Sequence, residues 1–482
     1  MTLNTRKSAS ADLSLQNQQT IDKYLSLKHR LELGAVLDAL DRAGITQTLL
    51  SSKSLGFDRL ANDTKVNVEF LTLLIKCLWI NGFFTPESHW QRLTLSPLGL
   101  KKLLQRSQYT GMLSGIEAAL CGDGDYTSSQ SVNLDSVQGL PSWLFSKIYE
   151  KYEGSKIDDG QQVEASEECD NLFAPLFSHT ATYFKSYQCI YDRLSNHIKP
   201  EDHLFGDDHL DRLQDINTSA DVFDGVIAQA FFKQIKERFD YPFVWRQPSV
   251  LVDIGCGNGS MLKKTYEFIR DHTSRGSYLA VYPLTLIAVD ISESALSVAS
   301  NTLEAIDTPT HVVQGSIDHP KLLWKHLQGL GFSPKSALHM SKSVIHDRDN
   351  TCEGISVADL NNVNNSFSVS LDRYGHLQSV ATLRHSLFEH LVSWRPFIAP
   401  FGYLVIEAHN GLGGGFKPSD ISAKAQSLLT TLNLSHDLSS QFLVSQQTFL
   451  EALKLANLQV MQLINLQKVN SEPTLALYDL AV

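Results

Sequence analysis

The chain has 482 residues, 43% of them hydrophobic and 19% charged, with a formal net charge of −11. That length exceeds one ordinary core, so two or three domains are expected. The acidic balance speaks against nucleic acid as the main partner, which would need a basic face.

The N-terminal "MTLNTRKSASADLSLQNQQT" has no apolar stretch of the signal-peptide kind, and no run of 18 apolar residues occurs, so neither a signal peptide nor a membrane span is expected. The six cysteines are scattered and none forms C-x-x-C, which points away from a disulfide framework or a thiolate zinc site and toward a reducing, cytoplasmic setting.

Residues 1–18 are polar and expected to fray. From about residue 20, "LSLKHRLELGAVLDALDRAGI" repeats apolar residues at helical spacing and stops at Gly44. "FDRLANDTKVNVEFLTLLIKCLWINGFF" predicts two more helices, with Asn62-Asp63 as the break. "HWQRLTLSPLGLKKLL" alternates like a strand before Ser96-Pro97 opens another helix. Helices followed by a small β wing resemble a winged-helix module. Its third helix lacks basic density, so dimerisation or lid formation is expected rather than DNA binding. Residues 110–245 read as mainly helical, interrupted by the polar "YEGSKIDDGQQVEASEECDN".

The pattern changes after Tyr241-Pro242. "SVLVDIG", "LTLIAVD", "THVVQGS", "SALHMSKSVI" and "GYLVIEAHN" are apolar β-like runs separated by helices, as in a parallel sheet covered on both faces. "LQVMQLINLQ" and "TLALYDLAV" predict a terminal hairpin closing the sheet edge antiparallel. The expected fold is therefore α/β: a doubly wound, Rossmann-like sheet over 246–482, a helical winged-helix-like domain over 1–109 and a helical lid over 110–245.

"VLVDIGCGNGSML" runs a buried strand into Asp253, then Gly255, Gly257 and Gly259, then a helix. The glycines allow a tight turn and close approach of a ligand to backbone. A dinucleotide fingerprint places its third glycine one position later, and the acid ahead of the turn would repel a pyrophosphate while favouring a cationic sulfonium. Asp290 ends the second strand, placed for a ribose diol, and Ser316 and Ile317 follow the third, where an adenine would sit. These motifs, over about 249–345, resemble the class I S-adenosylmethionine-dependent methyltransferases, with "HTSRGSYLAVYP" as an insertion between Gly259 and Asp290.

Ligands of open α/β sheets sit beyond the carboxyl ends of the strands. His346-Asp347 in "HMSKSVIHDRDN" follows the fourth strand, and Glu407, His409 and Asn410 end the fifth. His436 and Gln441 come later, in "LSHDLSSQFLV", on a predicted loop entering a helix. Each has a plainer reading as a turn cap, a cofactor contact or a surface polar residue. Together they form an N/O donor set suited to Fe(II), Mn(II) or a similar ion.

"SLFEHLVSWRPFIAPFGYLVIEAHN" and "SHDLSSQFLVSQQTFLEAL" resemble the C-methyltransferase domains of polyketide synthases, most of all the metal-dependent initiation type. Glu389, His390, Leu391, Trp394, Pro396, Glu407, His409, His436, Ser439 and Gln441 match that pattern, whereas Asp437 and Ser440 depart from it. The resemblance implies a mononuclear site at His436 and Gln441; Asp347 or His346 is the expected further ligand, and His346 or His409 the expected catalytic base. It also implies methylation of the α-carbon of a malonyl or β-ketoacyl substrate, free or held on an acyl carrier protein. The alternative is a metal-independent O- or N-methyltransferase acting on a small-molecule natural product, dimerising through its N-terminal module.

Overall fold

The computed structural model describes residues 28–52, 54–107, 109–110, 183–197, 225–350, 352–362, 367–413 and 416–482. Two compact units emerge: the first draws on Met1–Leu210, Val357–Phe367 and Lys417–Ser439, the second on Asp211–Ser356, Ser368–Phe416 and Ser440–Val482. Most of the expected lid lies outside the described residues.

In the first unit, helix α1 covers 28–42 and stops at Gly44, whose φ of 75° suits a residue without Cβ. It is followed by α2 (Ile45–Ser52), β1 (Ser54–Leu55), α3 (Phe57–Thr64), α4 (Val68–Ile80), β2 (Leu93–Thr94) and α5 (Pro97–Leu104). β1 and β2 pair antiparallel as a small wing. Ser96 caps α5 by accepting from Gly99 N–H at 2.8 Å, as Ser-Pro at a helix start predicts.

The expected break at Asn62-Asp63 is corrected: α3 runs through both residues and ends at Lys65, which takes a left-handed conformation, before Asn67 caps α4. Short helices α6 (Phe184–Gln188) and α7 (Ile190–Leu194) complete this part.

Helix α13 (Ala423–Leu438), which the sequence places with the core, also belongs to the first unit. Buried polar contacts hold it there. Lys76 Nζ meets Asp437 Oδ2 at 2.8 Å, Asn81 Nδ2 donates to Thr430 Oγ1 at 2.9 Å, and Thr431 Oγ1 donates to Glu32 at 2.7 Å. Sequence periodicity does not report such polar pairings, because they join helices hundreds of residues apart.

The second unit is built on a seven-stranded sheet in the order β10-β11-β9-β6-β3-β4-β5. Its strands are β3 (Val250–Ile254), β4 (Thr285–Asp290), β5 (Thr310–Gln314), β6 (Ala337–Lys342), β9 (Tyr403–Ala408), β10 (Gln459–Val469) and β11 (Glu472–Ala481). β5, β4, β3, β6 and β9 are parallel, while β11 joins β9 antiparallel and β10 closes the hairpin at the edge. Strands β3 and β9 are apolar nearly throughout because helices cover both faces.

Helices α8 (Gly225–Phe239), α9 (Ser260–His272) and α10 (Glu293–Glu304) pack on one face. α11 (Pro320–Gly329), α12 (Val380–Ile398) and α14 (Gln446–Leu455) pack on the other. The segment before α12 forms a small hairpin, β7 (Val369–Leu371) with β8 (Leu377–Ser379). Among the described residues, no helix is long and apolar enough to cross a membrane.

Candidate active site

The strand order reverses at β3, with β4 and β5 on one side and β6 and β9 on the other. The carboxyl ends of β3 and β6 therefore border the crevice where open α/β sheets hold ligands. After β3 the chain turns through Gly255, Gly257 and Gly259 at φ of 68°, 55° and 77°, all left-handed. A Cβ on Gly255 would lie 2.7 Å from Val344 Cγ2, so the turn closes against the segment after β6 only without a side chain. Asp290 braces this turn: its carboxylate accepts from Gly257 N–H at 2.9 Å and from Ser292 N–H at 3.0 Å.

Asp253 is 1% exposed, and neither carboxylate oxygen has a hydrogen-bond partner. Burial, then the charge of Asp290, pushes its carboxyl up to about 8, with Lys342 opposing. An unpaired buried carboxylate is unfavourable, and a cationic ligand would relieve it. At the end of β5, Ser316 Oγ accepts from Asp318 N–H at 3.1 Å, and Ile317 O accepts from the Trp394 indole at 2.7 Å.

Beyond β6, Ser343 adopts φ of 54° and leads into a 3-10 turn, Ile345–Asp347. His346 is buried there, with Nδ1 against Glu407 Oε1 of β9 in a short hydrogen bond, while Ile345 N–H donates to Glu407 Oε2 at 3.0 Å. Burial by itself raises the Glu407 carboxyl. The charge and hydrogen bond of His346, with His409 and the Ile345 N–H, outweigh that and hold it below its ordinary value.

Arg348, also buried, donates to Ile345 O at 3.1 Å, Phe442 O at 3.4 Å and Leu383 O at 3.1 Å, fastening the turn to its surroundings. Phe442 N–H donates to His346 O at 2.6 Å, which sets the chain around Gln441 against the histidine. Gln441 Oε1 is buried without a hydrogen-bond partner.

His409 is fully buried, donating from Nδ1 to Val444 O at 3.3 Å and accepting at Nε2 from Tyr478 at 2.6 Å. Burial drives its imidazole down to about 4, against the pull of Glu407. Asp347 is half-buried on the 3-10 turn, its N–H donating to Val344 O at 3.1 Å. His436 is not on a loop but in the last turn of α13, its Nδ1 bonded to Leu432 O at 2.6 Å. His436 belongs to the first unit, and Gln441 and Asp347 to the second.

The glycine turn, braced by Asp290 and backed by the unpaired Asp253, fits S-adenosylmethionine, whose cationic end suits that carboxylate. With the sheet topology it defines a class I S-adenosylmethionine-dependent methyltransferase. The chain belongs to the AprA MT2-like domain family, whose model matches residues 207–474.

Among solved structures, the chain is similar to the DszA carbon methyltransferase (13% identity, covering 98% of this chain and 93% of that one, TM-score 0.46). It is also similar to the mitomycin 7-O-methyltransferase MmcR (12% identity, 99% of each chain, TM-score 0.34). A third is the N,N-8-amino-8-demethyl-D-riboflavin dimethyltransferase RosA from Streptomyces davawensis (13% identity, 100% of this chain and 99% of that one, TM-score 0.32). No curated protein matches the chain.

These findings correct the sequence-based resemblance to metal-dependent, initiation-type polyketide synthase C-methyltransferases. The family shown is the AprA MT2-like one, and the similar structures span carbon, oxygen and nitrogen methyltransferases rather than that one type. Methylation of a malonyl or β-ketoacyl α-carbon, which rested on that resemblance, is withdrawn with it.

Much of the quoted motif is structural. Trp394 fills the core and bonds Ile317, and His390 lies 3.5 Å from Asp318. The sequence reading missed the bracing role of Arg348. Its only signal was an arginine placed directly after His346-Asp347.

Proposed function

We propose that this chain methylates an oxygen or nitrogen of a small-molecule natural product, with His346 as proton acceptor and Glu407 as its orienting partner. The buried His346–Glu407 pair carries the reading. When bound, S-adenosylmethionine supplies a methyl group on an electrophilic sulfonium. An acceptor hydroxyl or amine must give up a proton, and His346 takes it on Nε2 because Nδ1 is committed to Glu407. Glu407 stabilises the imidazolium that results, and the Ile345 N–H keeps the carboxylate oriented. Gln441 Oε1, buried and unpartnered, is available to accept a hydrogen bond from the acceptor. Asp253 faces the cofactor's positive charge, Gly255, Gly257 and Gly259 admit it, and Asp290, Ser316 and Ile317 line its nucleoside end. His409, with both ring nitrogens engaged, holds β9 to β11.

The acceptor in this reading is a free molecule rather than a carrier-bound acyl chain. No Fe(II) or Mn(II) at His436, Gln441 and Asp347 is needed, since a base and an activated methyl suffice.

The test uses methyl-labelled S-adenosylmethionine with a panel of phenolic, hydroxylated and amino natural products, locating the label by NMR. Label on oxygen or nitrogen is expected, with activity that survives chelation. His346→Ala should lower kcat by about 10²–10⁴-fold while leaving cofactor Kd nearly unchanged. Label on carbon, or activity lost on chelation and restored by Fe(II) or Mn(II), would overturn the reading.

A further inference from the structure

We infer that Cys352, His385 and Glu389 form a binding site for one divalent cation of the zinc class, built from residues the methyl-transfer site does not use. His385 and Glu389 stand four residues apart on α12, on one helix face, with His385 Nε2 3.5 Å from Glu389 Oε1. Cys352 approaches from the segment that follows the 3-10 turn, and one donor atom from each of the three residues lies within 4.8 Å of the others.

A tetrahedral zinc ion with bonds of about 2.0–2.3 Å keeps its donors roughly 3.3–3.8 Å apart. The cluster must therefore contract by about 1 Å. The His385 and Glu389 side chains, 60% and 50% exposed, have room to rotate inward.

The backbone around the cluster is already in register. Arg348 donates to Leu383 O at 3.1 Å, two residues ahead of His385, so the Cys352 segment is fastened to α12 independently of any ion. Asn350 Oδ1 accepts from Cys352 N–H at 3.1 Å, holding the local turn.

The donor chemistry narrows the ion. A thiolate with an imidazole and a carboxylate suits zinc and disfavours magnesium or calcium, which prefer all-oxygen shells. Three protein ligands leave a fourth position for water. Without an ion, burial and then the Glu389 carboxylate raise the Cys352 thiol, with Arg348 opposing. A cation among the three would turn that repulsion into shared attraction. Bound there, it would cross-link the segment carrying His346 to α12.

The experiment is a titration of the chelator-treated full chain with Co(II), read by absorption. One equivalent should produce a near-ultraviolet thiolate-to-cobalt band that Zn(II) displaces and that Cys352→Ser abolishes. Glu389→Gln should weaken Co(II) binding about tenfold or more. Glu389 is exposed and Cys352 half-buried, and circular dichroism checks that both variants remain folded. Absence of the band at one equivalent, or a band unchanged in Cys352→Ser, overturns the site. The readout does not involve methyl transfer, so either result leaves the proposed function standing.

Discussion

Two buried titratable side chains give the molecule its expected pH responses. Asp253 has its carboxyl raised to about 8, so below that pH the free chain holds a proton there. A cationic ligand favours the carboxylate, and its binding should therefore release a proton and tighten as pH rises toward 8. Calorimetry of S-adenosylmethionine binding at pH 7, in two buffers of different ionisation enthalpy, should detect the release. In Asp253→Asn it should vanish.

His339 on β6 is the opposite case. It is fully buried among Trp324, Trp394 and Tyr403, with neither ring nitrogen hydrogen-bonded, and burial lowers it to about 4. The unfolded chain takes up this proton near the ordinary value of 6.5, well before the folded one does. The histidine's contribution to stability is thus fully present above 6.5 and is lost as pH falls toward 4. The loss is on the order of 3 kcal/mol. Urea unfolding at pH 7.5 and pH 5 should show the fall, and His339→Leu should show a smaller one.

At the scale of elements, the site depends on two turns that meet. The glycine turn after β3 and the 3-10 turn after β6 approach so closely that Gly255 and Val344 leave no space for a methyl group. Gly255→Ala must accommodate both that clash and the left-handed φ, which alone costs about 1–2 kcal/mol. A lower melting temperature and weaker cofactor binding are expected together. Cofactor binding that stays unchanged would show that the turn does not contact it.

The second turn is held by the Arg348 guanidinium rather than by local sequence. Arg348→Met would strip hydrogen bonds from the carbonyls of Ile345, Leu383 and Phe442. Leaving buried acceptors unsatisfied costs about 1–3 kcal/mol each. The variant should lose stability in denaturant titrations and activity along with it, because the same turn presents His346.

For the molecule as a whole, the antiparallel hairpin of β10 and β11 is part of the core. β11 pairs with β9 from Leu475 opposite Ala408 to Leu480 opposite Tyr403, and it buries Leu477, Tyr478 and Leu480. Asp479 also meets Arg238 of α8 at 2.5 Å. A chain ending at Asn470 would leave β9 with an open edge and His409 without its Tyr478 partner. It should show no cooperative thermal transition and no cofactor binding. A melt within a few degrees of the full chain's would contradict that.

The alternation of apolar runs and helices, the glycine turn and the terminal hairpin were legible in the sequence because each is local. Strand and helix periods, and the three left-handed glycines, are set by neighbouring residues and hold in almost any context. The partnership of His346 with Glu407 was not legible, since it joins the turn after β6 to strand β9, 61 positions apart, and only the sheet order brings them side by side. Nor was the placement of His436, which lies in the last turn of α13, a helix held among the N-terminal helices by pairings hundreds of residues apart in sequence. The sequence by itself determined the doubly wound sheet of an S-adenosylmethionine-dependent methyltransferase. Tertiary structure decided which of the polar residues near the strand ends meet, because long-range pairing of buried charges leaves no periodic trace along the chain.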